Sequence, residues 1–142
     1  MGMFDVLKIS ASGLRAQRVR METIATNLAN VHTTRTEEGG PFRKLNVIFE
    51  SGDVSGERFK DFLARKLEGV NVEEIVESDK PFERTYDPGH PEADKDGYVT
   101  FPNVNVVEEM TDMMSATRSY EANTNVINAT KHMFQKALEI LK

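Results

Sequence analysis

The sequence contains no cysteine and no tryptophan. The first absence excludes a disulfide framework, a cysteine-ligated zinc site and thiol catalysis. A run of about 20 apolar residues is missing too, and at 39% hydrophobic against 29% charged the chain is too polar for an integral membrane protein, yet stops short of a disordered composition. A basic excess is also lacking. The net charge of −5 argues against nucleic acid as the principal partner. The only histidines are His32, His90 and His132, scattered without metal-ligand spacing, so no metal and no cofactor is expected. At the start, Met1-Gly2-Met3-Phe4-Asp5 puts an acid where a secretory signal carries its cations, and no apolar segment follows. Gly2 lacks a good myristoylation context, because residue 6 is Val. The expectation is a protein that stays in the cytoplasm or leaves by a route needing no cleaved signal.

Proline and glycine are absent from Asn103 to Lys142, whereas all five prolines fall between Pro41 and Pro102. The 142 residues therefore divide into a helix-compatible start (about 3–31), a broken middle (about 37–102) and an uninterrupted end. The domain organisation expected is 1–36 plus 103–142 as a discontinuous helical unit, with 37–102 as a small β-rich insert. Charge divides the same way. Residues 1–36 hold five Lys/Arg against two Asp/Glu, or +3, which leaves −8 on the other 106. The excess lies in Arg15, Arg18 and Arg20, read first as a solvated helix face and otherwise as a site for an acidic partner or a membrane surface.

Both ends carry apolar residues at coiled-coil spacing. In the first, Met3, Leu7, Ser10, Leu14, Gln17, Met21, Ile24, Leu28 and Val31 follow one another at alternating steps of four and three, with Gly13 as a weak point. In the second, Met110, Met113, Thr117, Tyr120, Thr124, Ile127, Lys131, Phe134, Leu138 and Leu141 do the same, behind an Asn105/Glu108 capping box. A helix over 105–141 would run about 55 Å at 1.5 Å per residue. A compact globule of this length measures about 35–40 Å across. The helix overhangs any such globule, so its stripe must pack on the N-terminal helix, on other subunits, or on both. The candidate assembly seam is Leu7, Leu14, Met21, Ile24, Leu28 and Val31, with Met110, Met113, Tyr120, Ile127, Phe134, Leu138 and Leu141. The fold class expected is mainly α: two long terminal helices pairing in a coiled-coil-like bundle around a small β-rich insert.

In the middle, Leu45–Phe49 and the run from Val70 alternate as strands, and Asp96-Gly97 before Tyr98–Phe101 signals a turn or hairpin. Phe59, Phe62, Leu63 and Leu67 fit one face of a short helix ending at Gly69. Catalytic chemistry finds little footing. Glu92, Asp94, Asp96 and Gly97 imitate half of a calcium loop, but Asn103 stands where a bidentate Glu is needed, so the segment is read as an acidic turn. The pairs Glu73/Glu74 and Glu108/Glu109 have no pocket-forming context for two-carboxylate hydrolysis. No serine lies in a nucleophile elbow and no glycine-rich phosphate loop is present. The chain is not expected to be an enzyme, and no small-molecule substrate is expected.

Three stretches carry a resemblance. Ser10-Ala11-Ser12-Gly13-Leu14 leads to Asn27-Leu28-Ala29-Asn30-Val31-His32-Thr33-Thr34, with the A-N-x-x-T signature at Ala29, Asn30 and Thr33. Tyr86-Asp87-Pro88 leads through Gly97-Tyr98-Val99 to Pro102-Asn103-Val104, and Met114-Ser115-Ala116 is followed by Arg118 to Asn123. The chain resembles the bacterial flagellar rod and hook protein family over nearly its whole length, fitting least well at 53–66. The second and third stretches point to a proximal-rod subunit. The resemblance implies helical termini forming an inner domain, and a structural role in helical assembly of the torque-transmitting drive shaft. It implies self-association, neighbours such as FlgB, FliE, FlgF and FlgG, export by the flagellar type III apparatus, and a place in the periplasm-spanning rod of the basal body. A cytoplasmic coiled-coil adaptor and an associated peptidoglycan hydrolase remain the alternatives.

Overall fold

The computed structural model describes residues 2–37, 39–53 and 68–140. The order of elements is α1 (Met3–Ala29), β1 (Leu45–Asp53), β2 (Glu68–Glu77), β3 (Glu83–Tyr86), β4 (Tyr98–Phe101) and α2 (Val106–Ile140). Two long terminal helices pack on each other with a small β-rich insert between them, as the periodicity predicts. The Phe59, Phe62, Leu63 and Leu67 helix lies outside the described residues. Gly69, expected to end it, is instead part of β2.

The helix ends have local causes. Gly2 donates its N–H to Asp5 Oδ2 at 2.5 Å, and Asp5 also places a negative charge in the first turn of α1. At the start of α2, Asn105 Oδ1 accepts the N–H groups of Val107 (2.9 Å) and Glu108 (3.3 Å), which satisfies two donors the helix itself leaves orphaned. The 27 residues of α1 span about 40 Å and the 35 of α2 about 52 Å. Antiparallel packing therefore carries the end of α2 past the start of α1, with nothing opposite it among the described residues. From Lys131 to Ile140 every residue is exposed.

Strands β1 and β2 form an antiparallel ribbon, with Leu45 opposite Glu77 and Asp53 opposite Glu68. A bulge falls where Ile48 pairs with Glu74 but Phe49 pairs with Val72, leaving Glu73 as the extra residue. The ribbon lies along α1: Val70 donates its N–H to Ser12 Oγ at 3.1 Å, while Leu45 meets Asn27 near the other end of the helix. Strands β3 and β4 make a second, separate hairpin. Val99 and Val104 are buried in the second hairpin and the segment leaving it, whereas Ala16, Ile24 and Ala116 are buried on the helices.

Gly97 closes the β3–β4 loop at φ +80°, where a Cβ would lie 2.9 Å from the Tyr86 ring. Asp94 organises the same loop. Its Oδ1 accepts the N–H groups of Tyr98 (2.9 Å) and Asp96 (3.0 Å), and its Oδ2 meets Arg84 at 2.7 Å. The Tyr98 amide foremost, with the Asp96 amide and Arg84, holds this carboxyl below its ordinary value of 3.8, against an opposing effect of desolvation. The acidic turn thus spends its central carboxylate on the backbone.

Candidate functional site

The surface that matters for a chain of this shape is the helical pair. Four contacts fix how the helices meet. Arg20 bridges Asp112 at 2.7 Å, Thr117 Oγ1 lies 3.7 Å from Met21 Sδ, Gly13 faces Asn123, and Asn27 bonds to Glu109. The buried residues of α2 are Glu109, Ala116 and Thr130, and with half-buried Asn123 they recur every seven residues. On α1, Asn27 bonds to Glu109 and Gly13 faces Asn123. The stripe that α2 encloses is therefore made of small or polar residues. Apolar periodicity missed it; the signal that could have found it is the heptad of Glu109, Ala116, Asn123 and Thr130.

The candidate seam residues lie beside that stripe. Ile24 is buried, and Leu7, Leu14, Met21, Leu28, Met113, Tyr120 and Ile127 are half-buried. Val31 lies past the end of α1, in the following turn. The start of α2 exposes Met110, together with Val107 and Met114, and its far end exposes Phe134 (43%) and Leu138 (48%). Leu141 is outside the described residues. Two apolar patches at opposite ends of α2 thus remain without a partner among the described residues.

Helix α1 stops at Ala29 because Asn30 leaves helical geometry, at φ −102° and ψ 12°. The Asn30 side chain donates Nδ2–H to Thr26 O at 2.9 Å, and its Oδ1 accepts the Thr33 hydroxyl at 3.1 Å. Thr33 N–H reaches Asn30 O at 3.0 Å, and Phe42 N–H returns to Thr33 O at 3.0 Å. Asn30 and Thr33 so satisfy the freed carbonyls and start the chain toward β1.

Just inside that turn is a polar hub. Asn27 is 1% exposed; its Oδ1 accepts Leu45 N–H at 2.8 Å, and its Nδ2 donates to Leu45 O and to Glu109 Oε2, each at 2.9 Å. Glu109, also 1% exposed, has Lys44 Nζ 2.5 Å from its other oxygen. Lys44 N–H donates to Asn103 Oδ1 at 2.9 Å, and Asn103 Nδ2 donates to Lys80 O at 2.9 Å. One lysine and one glutamate join α1, α2, β1 and the segment before β3.

Comparison with known proteins adds the identity. Residues 7–35 match the flagella basal body rod protein model, and residues 95–140 match the C-terminal model of the flagellar basal body rod FlgEFG proteins. The flagellar basal-body rod protein FlgC of Borreliella burgdorferi is 45% identical, covering 100% of this chain and 99% of the relative. The chain belongs to the FlgC family of flagellar basal-body rod proteins. FlgC of Bacillus subtilis is likewise 45% identical over the full length of both chains, and FlgC of Salmonella typhimurium is 39% identical over 99% of this chain and 98% of its own. Members of this family are structural rod subunits of the basal body. The two matched regions take in most of α1 with its exit turn and all of α2, the helices that carry the exposed apolar patches, while the likeness to the FlgC relatives covers the whole chain.

Proposed function

We propose that the chain is a subunit of the proximal rod that assembles side by side, through its terminal helices, with copies of itself and with other rod proteins. The unpartnered apolar residues at both ends of α2 carry this reading, because a helix that outruns its intramolecular partner needs a second surface for Phe134, Leu138 and Ile140. Burying each such side chain contributes about 1.5–3 kcal/mol, and many lateral contacts sum to a stiff shaft able to carry torque. In this reading 1–36 plus 103–142 form the inner rod domain, and 37–102 form the outer one. Leu7, Leu14, Met21, Ile24, Leu28, Val31, Met110, Met113, Tyr120, Ile127, Phe134, Leu138 and Leu141 serve the assembly. The neighbours are FlgB, FliE, FlgF and FlgG. Export proceeds through the flagellar type III apparatus without a cleaved signal, and the assembled rod spans the periplasm.

The test is complementation of cells lacking the corresponding rod gene, followed by purification of basal bodies. The chain should be present in the rod with an intact N-terminus and restore swimming. Its recovery only from the cytoplasm would overturn the proposal.

A further inference from the structure

We infer that the Lys44–Glu109–Asn27 hub is the register lock of the helical hairpin: these residues position α2 against α1 and prevent it from sliding by one heptad. The reason lies in what a slide would change. In the native pairing Asn27 meets Glu109, Met21 meets Thr117, and Gly13 meets Asn123. Moving α2 by seven residues puts Ala116 where Glu109 sits, Asn123 where Ala116 sits and Thr130 where Asn123 sits. Every exchange but the first replaces one small neutral residue by another. Those exchanges move no charge, so they discriminate between registers less sharply than the first, just as one polar residue in a helical seam fixes its register. Glu109 is distinctive. With Ala116 in its place, Lys44 would hold a largely buried ammonium with no carboxylate, and Asn27 would lose an acceptor.

The same residues also decide where the ribbon sits. Asn27 holds both backbone groups of Leu45, the first residue of β1, and the Lys44 backbone accepts Ser78 N–H at 2.8 Å just past the end of β2. Register and ribbon placement are thus set at one point. Arg20–Asp112 marks the native register as well, but it is partly exposed on both sides and is the weaker determinant.

Cysteine cross-linking reads register directly, because the full-length chain has no cysteine of its own. The native pair is Met21→Cys with Thr117→Cys; the slid pair is Met21→Cys with Thr124→Cys. In the otherwise unchanged chain, the native pair should oxidise at least tenfold faster than the slid pair. In the Lys44→Met/Glu109→Leu background the two rates should come within about threefold, with helical circular dichroism retained. Glu109→Gln keeps the shape and one acceptor oxygen for the Asn27 amide, and should give a preference between those of the parent and of the Met/Leu background. Persistence of the tenfold preference in the Met/Leu background overturns the inference. Should that background lose its helices, the graded series Glu109→Gln, Glu109→Met and Lys44→Met decides. Slid cross-links must rise along it before helicity falls, and loss of helicity with no slid cross-link at any step overturns the inference equally. Rod incorporation is not the readout, so failure here is separable from failure of the assembly proposal.

Discussion

Gly13 of α1 and Asn123 of α2 touch so closely that a Cβ on Gly13 would lie 2.9 Å from Asn123 Nδ2 and 3.3 Å from its Cγ. Glycine in a helix interior costs about 1 kcal/mol relative to Ala, so its presence here marks a close crossing of the two helices. Gly13→Val should destabilise the chain by about 1–3 kcal/mol, the usual cost of overpacking. Adding Asn123→Ala should recover part of it. Denaturant unfolding of the four chains of the cycle checks this; a Gly13→Val chain as stable as its parent would remove the close approach from the account.

Glu109 and Lys44 should behave as a unit. Glu109→Ala leaves a largely buried ammonium unpaired and should cost about 3–5 kcal/mol. Replacing both by Met and Leu removes the unpaired charge and should cost much less. Equal losses for the single and the double replacement would contradict the pairing; thermal unfolding supplies the comparison.

Fold and assembly should separate at the end of α2. Phe134 and Leu138 are 43% and 48% exposed, so Phe134→Ser or Leu138→Ser should change the stability of the lone chain by only about 0.5 kcal/mol. The same changes should block swimming, because each lost contact is repeated at every subunit of the rod. Swim plates with secretion checked by immunoblot give the outcome. Motile cells carrying both replacements would move the working surface elsewhere.

The Asp94 turn should loosen in acid. Its carboxyl titrates below 3.8, so the folded state holds fewer protons than the unfolded chain. The stabilisation is complete above that unfolded value and is lost as pH falls through the lowered one. Protection of the Asp96 and Tyr98 amides, taken relative to their intrinsic exchange rates at each pH, should fall over that window in the parent, whereas in Asp94→Ala it should be low throughout and without that transition. Protection unchanged from neutral pH down to about pH 2 would dissociate the turn from the carboxylate.

Much of the architecture was legible in the chain itself. The long glycine- and proline-free end requires a helix, the alternation at Leu45–Phe49 and from Val70 requires strands, and Asp96-Gly97 requires a turn. Each follows from the preferences of neighbouring residues. The overhang of α2 was legible too, since helix length is arithmetic.

What only the tertiary structure decided is which faces meet. The 3-4 spacing follows Met110, Thr117, Thr124 and Lys131, whereas the residues enclosed on α2 are Glu109, Ala116, Asn123 and Thr130, one position away. Periodicity counts apolar surface, but two helices held by a close glycine contact and a polar hub select small and hydrogen-bonding residues instead. Nor could the sequence say that Lys44, 65 positions before Glu109, would supply its counter-charge. Burial of a charge is tolerated only where a partner arrives in space, and that partner comes from the whole fold rather than from any local pattern.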